Sequence, residues 1–403
     1  MEKSKKILLL SNILLIGFFI QLAFVYYYSG ILNLGYPYSS FLFNPNIAFS
    51  DFWGLLFHIK DLHPYALPAN WQNYFPLSFI LILPFAFIKN VFFAYLIFAT
   101  GFLSFFTYCN FKKFSCPEFS NLQNIQNVII LTFVSYPVIS LIDRGNLDML
   151  GFAFFVPFIY FLKKEKYIRS AIFLAIINAL KPFSFLFLVL FLFKKRYKEF
   201  FLSIGVTVLL IFGGFLFFGR DVYSQMVVLV KSWQYFVANY VASVDMSLSN
   251  QSSLFVMLKL FFCKLSIPFY LSIPALIRIY NIFSIFITGL TAIFAYREKT
   301  FWKQIMLLTI YMLLMPVVTM DYKLIFLYVP IWMFMNKAEK SKSDLAYVIL
   351  LGLLFIPKHT VTALIGADWY SISVILNPLI MITIVGLILW EQFYKKSEEK
   401  QKQ

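Results

Sequence analysis

Few side chains in this chain could do chemistry, and they stand out because nearly everything around them is apolar. Asp51 follows Ser50 in the run NIAFSDFWGLLFHIKD, where Asp51 to Lys60 read as a short helix lying at a membrane interface. A carboxylate held there over a cavity would suit a general base. Equally, Ser50 or Asp51 would cap the helix. His58 lies two helical turns after Asp51 and shares its face. The set Asp51, His58 and His63 matches no metal-ligand spacing, so no metal is expected.

Lys181, in NALKPFSF, interrupts an otherwise apolar run. A cation in that setting is costly unless it is paired or lines a cavity, so it either holds a phosphate or snorkels to the interface. In SYPVISLIDRGNLDMLGF, Arg144 stands between Asp143 and Asp148 with Gly145 permitting a tight turn. It would bind phosphate, or pair with one of those aspartates and close a loop. Asn146 is then a candidate donor to a sugar hydroxyl. Two later segments, SLSNQSSLF and MPVVTMDYKLIFLYVP, contribute Asn250, Gln251, Asp321, Tyr322 and Lys323 as candidate sugar or acceptor contacts. Asp321 and Lys323 read as well as a structural ion pair. Trp71, Tyr74 and the other outer aromatics read chiefly as an interfacial belt, some of them as platforms for a sugar.

The elements that must position these groups are membrane helices. Of 403 residues, 61% are hydrophobic and only 13% charged, and the mean hydropathy is +0.80. That balance excludes a soluble protein and leaves no room for a separate water-soluble catalytic domain. A formal charge of +16 would suggest nucleic acid on a soluble protein. Here, however, most of the 34 Lys and Arg form short clusters between apolar runs, from Lys3/Lys5/Lys6 to Lys395/Lys396/Lys400/Lys402, which is how a polytopic protein fixes its orientation. Nucleic acid is therefore not an expected partner; the bilayer is.

With the clusters placed in the cytoplasm, the apolar runs alternate across the membrane. Residues 7–29 go out, 30–74 form a long outer loop, and 75–88 is a re-entrant or interfacial helix carrying Pro76 and Pro84. Residues 168–193, with basic clusters at both ends and Lys181-Pro182 in the middle, read as two short arms meeting near the outer face. The expected total is about twelve to thirteen spans of about 20 residues, in one domain of residues 1–394 followed by a charged tail, 395–403. Both termini are expected in the cytoplasm. The acidic residues, not used in building this topology, agree with it. Those placed outside are all aspartates, and all three histidines join them. Cys109, Cys116 and Cys263 form neither a disulfide framework nor a zinc pattern.

Absences narrow the function. There is no phosphate-binding G-x-x-x-x-G-K-[ST], no G-x-G-x-x-G, no G-x-S-x-G, and no carboxylate in the middle of an expected span, where a proton-coupled transporter usually needs one. A large outer loop with an early Asp suits transfer from a lipid-linked donor, because a polyprenyl chain reaches an outer site through the bilayer and nucleotide sugars do not. A flippase or transporter of lipid-linked sugars and an O-antigen-type polymerase are the alternative readings. The second is disfavoured by how few arginines lie outside.

These residues resemble the GT-C superfamily of integral-membrane glycosyltransferases, most closely glycosyltransferase family 87, the polyprenyl-phosphate-mannose-dependent mannosyltransferases. The resemblance runs from about residue 45 to 335 through Asp51-Phe52, Pro64-Tyr65, Phe75-Pro76-Leu77, Pro137 with Gly145-Asn146, Leu180-Lys181-Pro182, Asn250-Gln251-Ser252, and Pro316 with Asp321-Tyr322. It implies an all-α GT-C bundle with short interfacial helices in the first outer loop and an active site on the outer face of the cytoplasmic membrane. It also implies Asp51 as the base of an inverting sugar transfer from polyprenyl phosphate to a glycolipid or glycan, with Lys181 facing the phosphate. The late turn departs from the family, which usually carries His where this chain has Asp321-Tyr322-Lys323; mannose is then the default sugar. No Asp-x-Asp motif supports a divalent metal.

Overall fold

The computed structural model describes residues 1–60, 62–65, 73–243, 248–264, 272–358, 361–362 and 370–401. Expectations for Asp61, Trp71, Asp245, His359 and Asp368 lie outside the described residues. The protein is an all-α polytopic membrane protein, its only strands being the pair Val361–Thr362 and Tyr370–Ser371 among the described residues. Among those residues five helices are long and apolar enough to cross a bilayer: Lys3–Ile31, Val91–Phe114, Tyr197–Phe218, Ile273–Arg297 and Ser373–Tyr394. The helices Asn121–Phe133 and Tyr136–Arg144, bent by 51° at their junction, make a sixth if counted as one span.

That number is below the twelve to thirteen expected, and the reason is local. Several apolar runs long enough on paper are cut by proline or by tight turns. Residues 168–193 divide at Lys181, whose backbone is extended (φ −152°, ψ 129°) because the following proline disfavours helix there. The result is a helix Tyr167–Leu180 followed by a 3-10 segment Pro182–Leu188 and a short helix Val189–Phe193. The run at 322–335 begins in the same way, as the 3-10 segment Asp321–Leu327 before the helix Tyr328–Met335. At 75–88 the helix is Pro76–Ala86, 11 residues and too short to span. The last helix continues to Gln401, through the charged tail.

Contacts divide the chain into two compact units. One comprises Pro45–Phe106 and Leu141–Ser243, the other Met1–Asn44, Thr107–Ser140 and Val244–Gln403. In the first unit the helices Asp148–Lys163, Tyr167–Leu180 and Tyr197–Phe218 pack in series. Inside it Ser170 Oγ donates to Phe158 O at 3.0 Å, a partner that a hydroxyl needs in an apolar interior. Pro76–Ala86 lies against this layer, with Leu77, Ala179 and Leu180 forming an apolar cluster and Ser78 Oγ donating to Leu180 O at 3.3 Å.

The second unit is closed by small residues and buried charge. Helix Lys3–Val25 meets helix Asp344–Phe355 so closely that a Cβ at Gly352 would lie 2.8 Å from Ile13, the close approach that glycine permits between membrane helices. At one end of these helices Asp344, fully buried, takes Lys6 at 3.4 Å and Lys337 at 2.6 Å. Glu391 takes Lys303 and the hydroxyl of Tyr347. Buried carboxylates survive in an apolar interior only when paired in this way.

Candidate active site

Asp51 is on the helix Ser50–Ile59, and the start of that helix is unusual. The residue before it, Phe49, is left-handed (φ 57°), a conformation that costs a non-glycine residue energy and must be held from outside. It is held by the turn that carries Arg144. Phe49 N donates to Asp143 O at 2.8 Å, and its ring lies 4.3 Å from that of Tyr95, whose hydroxyl donates to Ile142 O. The turn itself depends on Gly145 at φ +67°, where a Cβ would come within 3.1 to 3.3 Å of Phe52, Phe49 and Tyr95. Neither Ser50 nor Asp51 caps the helix: its N-cap is Phe49 and makes no side-chain bond.

Instead, the Asp51 carboxylate points at the turn. Arg144 Nε lies 2.9 Å from Oδ1, and Asn146 Nδ2 donates to Oδ2. On its other side the Asn146 amide oxygen accepts from Lys181 Nζ at 2.7 Å and from the Asp148 N–H at 2.9 Å, the latter an Asx turn that starts the helix Asp148–Lys163. Lys181 is also 3.1 Å from the carboxylate of Asp148, which is 1% exposed. The Lys181 ammonium lies over the ring of Tyr74, 5.4 Å from its centroid, and the Tyr74 hydroxyl is 3.5 Å from Asn146 Nδ2. Burial, with the nearby charges of Asp51 and Asp148, pushes the Tyr74 phenol well above its usual range, so it stays a neutral hydroxyl. Tyr65 donates to Tyr74 O at 3.0 Å and Trp233 to Asn73 O at 3.1 Å, and these bonds fix the segment that presents Tyr74.

Four predicted residues, Asp51, Arg144, Asn146 and Lys181, are thus brought together, within one unit. Arg144 pairs with Asp51, while Asp148, which the sequence offers as a partner for Arg144, pairs with Lys181. Tyr74, which reads from the sequence chiefly as part of an aromatic belt, belongs to the cluster as well. His58 lies half-buried two turns along from Asp51, and burial lowers its imidazole below the usual range.

The later segments form a second group, in the other unit. Asn250 to Ser252 and Thr319 to Asp321 run antiparallel through a bridge at Gln251 and Met320, with Ser252 N bonded to Thr319 O at 2.7 Å and Asp321 N to Asn250 O at 2.8 Å. Gln251 Oε1 accepts from Thr319 N at 3.0 Å, and Asp321 Oδ1 takes the Ser252 hydroxyl at 2.6 Å and the Asn377 amide at 3.1 Å. Burial raises the Asp321 carboxyl against the lowering pull of those two bonds. Tyr322 is buried, its ring 6.4 Å from that of Phe43, while Lys323 is half-buried. No three His, Cys, Asp or Glu side chains gather as metal ligands among the described residues.

The fold is thus that of a polytopic helical membrane protein, carrying a carboxylate tied to two cations through one turn. A model of glycosyltransferase family 87 matches residues 71–320, more than half of the chain, which therefore belongs to that family and is a glycosyltransferase of GT-C type. Comparison with curated proteins finds no match. The matched region includes Tyr74, Arg144, Asn146, Asp148 and Lys181; Asp51 precedes it.

Proposed function

We propose that this glycosyltransferase moves one sugar, mannose by default, from a polyprenyl-phosphate carrier to a glycolipid or glycan acceptor on the outer face of the cytoplasmic membrane, with inversion at the anomeric carbon. The observation that carries the reading is the meeting of Asp51 with Arg144 and Lys181 in a single cluster linked by Asn146. Such a transfer needs a base for the acceptor hydroxyl and positive charge for the departing phosphate, and this cluster holds both.

In the reaction the acceptor O–H gives its proton to Asp51 while the oxygen bonds to the anomeric carbon. The bond from that carbon to the phosphate oxygen breaks, and its electron pair leaves on polyprenyl phosphate. The cations Arg144 and Lys181 stabilise the charge that develops there, an interaction worth most in a dry, preorganised site. The contacts already made to Asp51 do not occupy it fully, since each carboxylate oxygen has two lone pairs and one remains for the acceptor hydroxyl. His58, neutral and on the same helix face, is the acceptor-side candidate. This chemistry calls for no cofactor.

The test is Asp51→Asn in the purified full chain, assayed with polyprenyl-phosphate mannose and a membrane lipid extract. Transfer should fall by about 100-fold or more, the lower range for loss of a general base, with folding intact. Full transfer by this variant would sink the assignment. Passage of the donor across the bilayer unchanged, without release of polyprenyl phosphate, would favour a flippase.

A further inference from the structure

Asn146 has the most tightly determined side chain of the cluster. Its oxygen receives two donors of fixed direction, the Lys181 ammonium at 2.7 Å and the Asp148 N–H at 2.9 Å. Turning the amide over would set its NH2 against both donors and its oxygen against the Asp51 carboxylate, so the hydrogen-bond pattern admits one orientation. In that orientation Nδ2 faces Asp51 Oδ2. The backbone is as constrained as the side chain, because the preceding Gly145 is wedged against Phe49, Phe52 and Tyr95 in a left-handed conformation. Asn146 itself is 2% exposed, which suits a residue that acts on another side chain better than one that meets a sugar.

We propose that Asn146 is a positioning residue for the transfer: its amide ties the carboxylate of Asp51 to the Lys181–Asp148 pair and fixes the direction of the carboxylate. The proposal rests on the reading of Asp51 as base. A donor to the charged form of a carboxylate makes it harder to protonate, and a second carboxylate in the same place does the reverse. Among the described residues, the charged or titratable groups on the elements around Asp51 include Arg144 at 2.9 Å, Lys181 and Asp148 beyond Asn146, Tyr74, His58 on its own helix, and Asp143 and Tyr95 against the start of that helix.

Asn146→Asp is the decisive variant, because it keeps the acceptor for Lys181 and the Asp148 N–H and replaces only the group facing Asp51. Two readouts apply to the full chain in detergent. The first needs no substrate: carbodiimide coupling of glycine ethyl ester to Asp51, which requires the protonated carboxyl, is followed against pH by peptide mass spectrometry. Its midpoint should rise by about one pH unit or more in Asn146→Asp and by a smaller step in Asn146→Ala. The second is transfer from polyprenyl-phosphate mannose to a membrane lipid extract. Here the acidic limb of kcat should move up with the labelling midpoint, so that about tenfold is lost on that limb for each unit of the move and regained as the pH is raised past the new midpoint, with KM for the donor within about twofold.

A structural defect would not be cured by raising pH, and a lost sugar contact would appear in KM. An unmoved labelling midpoint in folded Asn146→Asp overturns the proposal, as does a loss confined to KM. Should Asn146→Asp not fold, Asn146→Ala decides on the same criteria. If Asp51→Asn is inactive while the Asn146 variants leave the midpoint in place, only this inference falls; if Asp51→Asn is fully active, the base assignment falls with it.

Discussion

Lys181 and Asp148 make each other tolerable. Asp148 is 1% exposed and its partner is 3.1 Å away, so removing the ammonium leaves a carboxylate in an apolar interior with its counter-charge gone. Breaking a buried pair by deleting one member typically costs about 3–5 kcal/mol, whereas neutralising both members costs far less. Lys181→Met should therefore unfold at a markedly lower temperature than the parent, and adding Asp148→Asn should recover most of the loss. Transfer should stay low in the double variant, because the cation proposed to face the phosphate is still missing. Thermal unfolding and turnover, measured on the two single variants and the double, separate these contributions. Recovery of both stability and transfer by Asp148→Asn would mean that Lys181 serves only to neutralise Asp148. The same pair marks a boundary in what the sequence discloses. Lys181 is legible because a lysine inside an apolar run demands an explanation. The role of Asp148 is not, since it stands four residues after Arg144 and reads as that residue's partner. Only the return of the chain at Lys181-Pro182 supplies the cation it meets.

At the scale of elements, the site depends on how the segment carrying Tyr74 is seated. Pro76, which opens the helix Pro76–Ala86, rests on Gly214 of the helix Tyr197–Phe218, and a Cβ at Gly214 would lie 2.6 Å from the Pro76 ring. A proline ring cannot swing aside as a flexible side chain does, so the helices must separate. Gly214→Ala should destabilise the protein by about 1–3 kcal/mol, the usual range for overpacking, and should lower transfer by displacing Tyr74 from Lys181. The adjacent Gly213 has nothing within 4 Å of its Cβ position, so Gly213→Ala should leave both stability and transfer near the parent values. Equal effects from the two substitutions in thermal unfolding would show that helix propensity matters here and the contact with Pro76 does not. Proline is also why some elements are readable in advance. The break at Lys181-Pro182 and the short helix after Phe75 follow from a missing N–H and a fixed φ. The left-handed Phe49 that aims Asp51 has no such signature, because its conformation is imposed by Asp143 and Tyr95, residues distant in sequence.

For the whole molecule, composition makes the membrane class plain, while the number of crossings is less legible, because hydropathy counts apolar residues and does not register a turn inside an apolar run. Residues 168–193 show the difference. The helix Tyr167–Leu180 has 14 residues and is about 21 Å long, less than the hydrocarbon thickness of about 30 Å. It cannot cross alone, and after Lys181 the chain continues as a separate short arm. If the two arms turn back on each other, the basic clusters at Lys163/Lys164/Lys166 and Lys194/Lys195/Arg196 lie on the same side, and the orientation expected from positive charge places that side in the cytoplasm. Single cysteines in a chain whose own three are replaced by alanine test this directly. Lys164→Cys and Lys194→Cys, both at exposed positions, should react with a membrane-impermeant maleimide only after the cells are permeabilised, whereas Arg220→Cys, also exposed, should react in intact cells. Labelling of positions 164 and 194 from opposite sides would make 168–193 a full crossing. Lys181 would then lie within a continuous span and every later segment would reverse its orientation, whereas reaction of both positions in intact cells would place their side outside and overturn the sidedness proposed for the transfer.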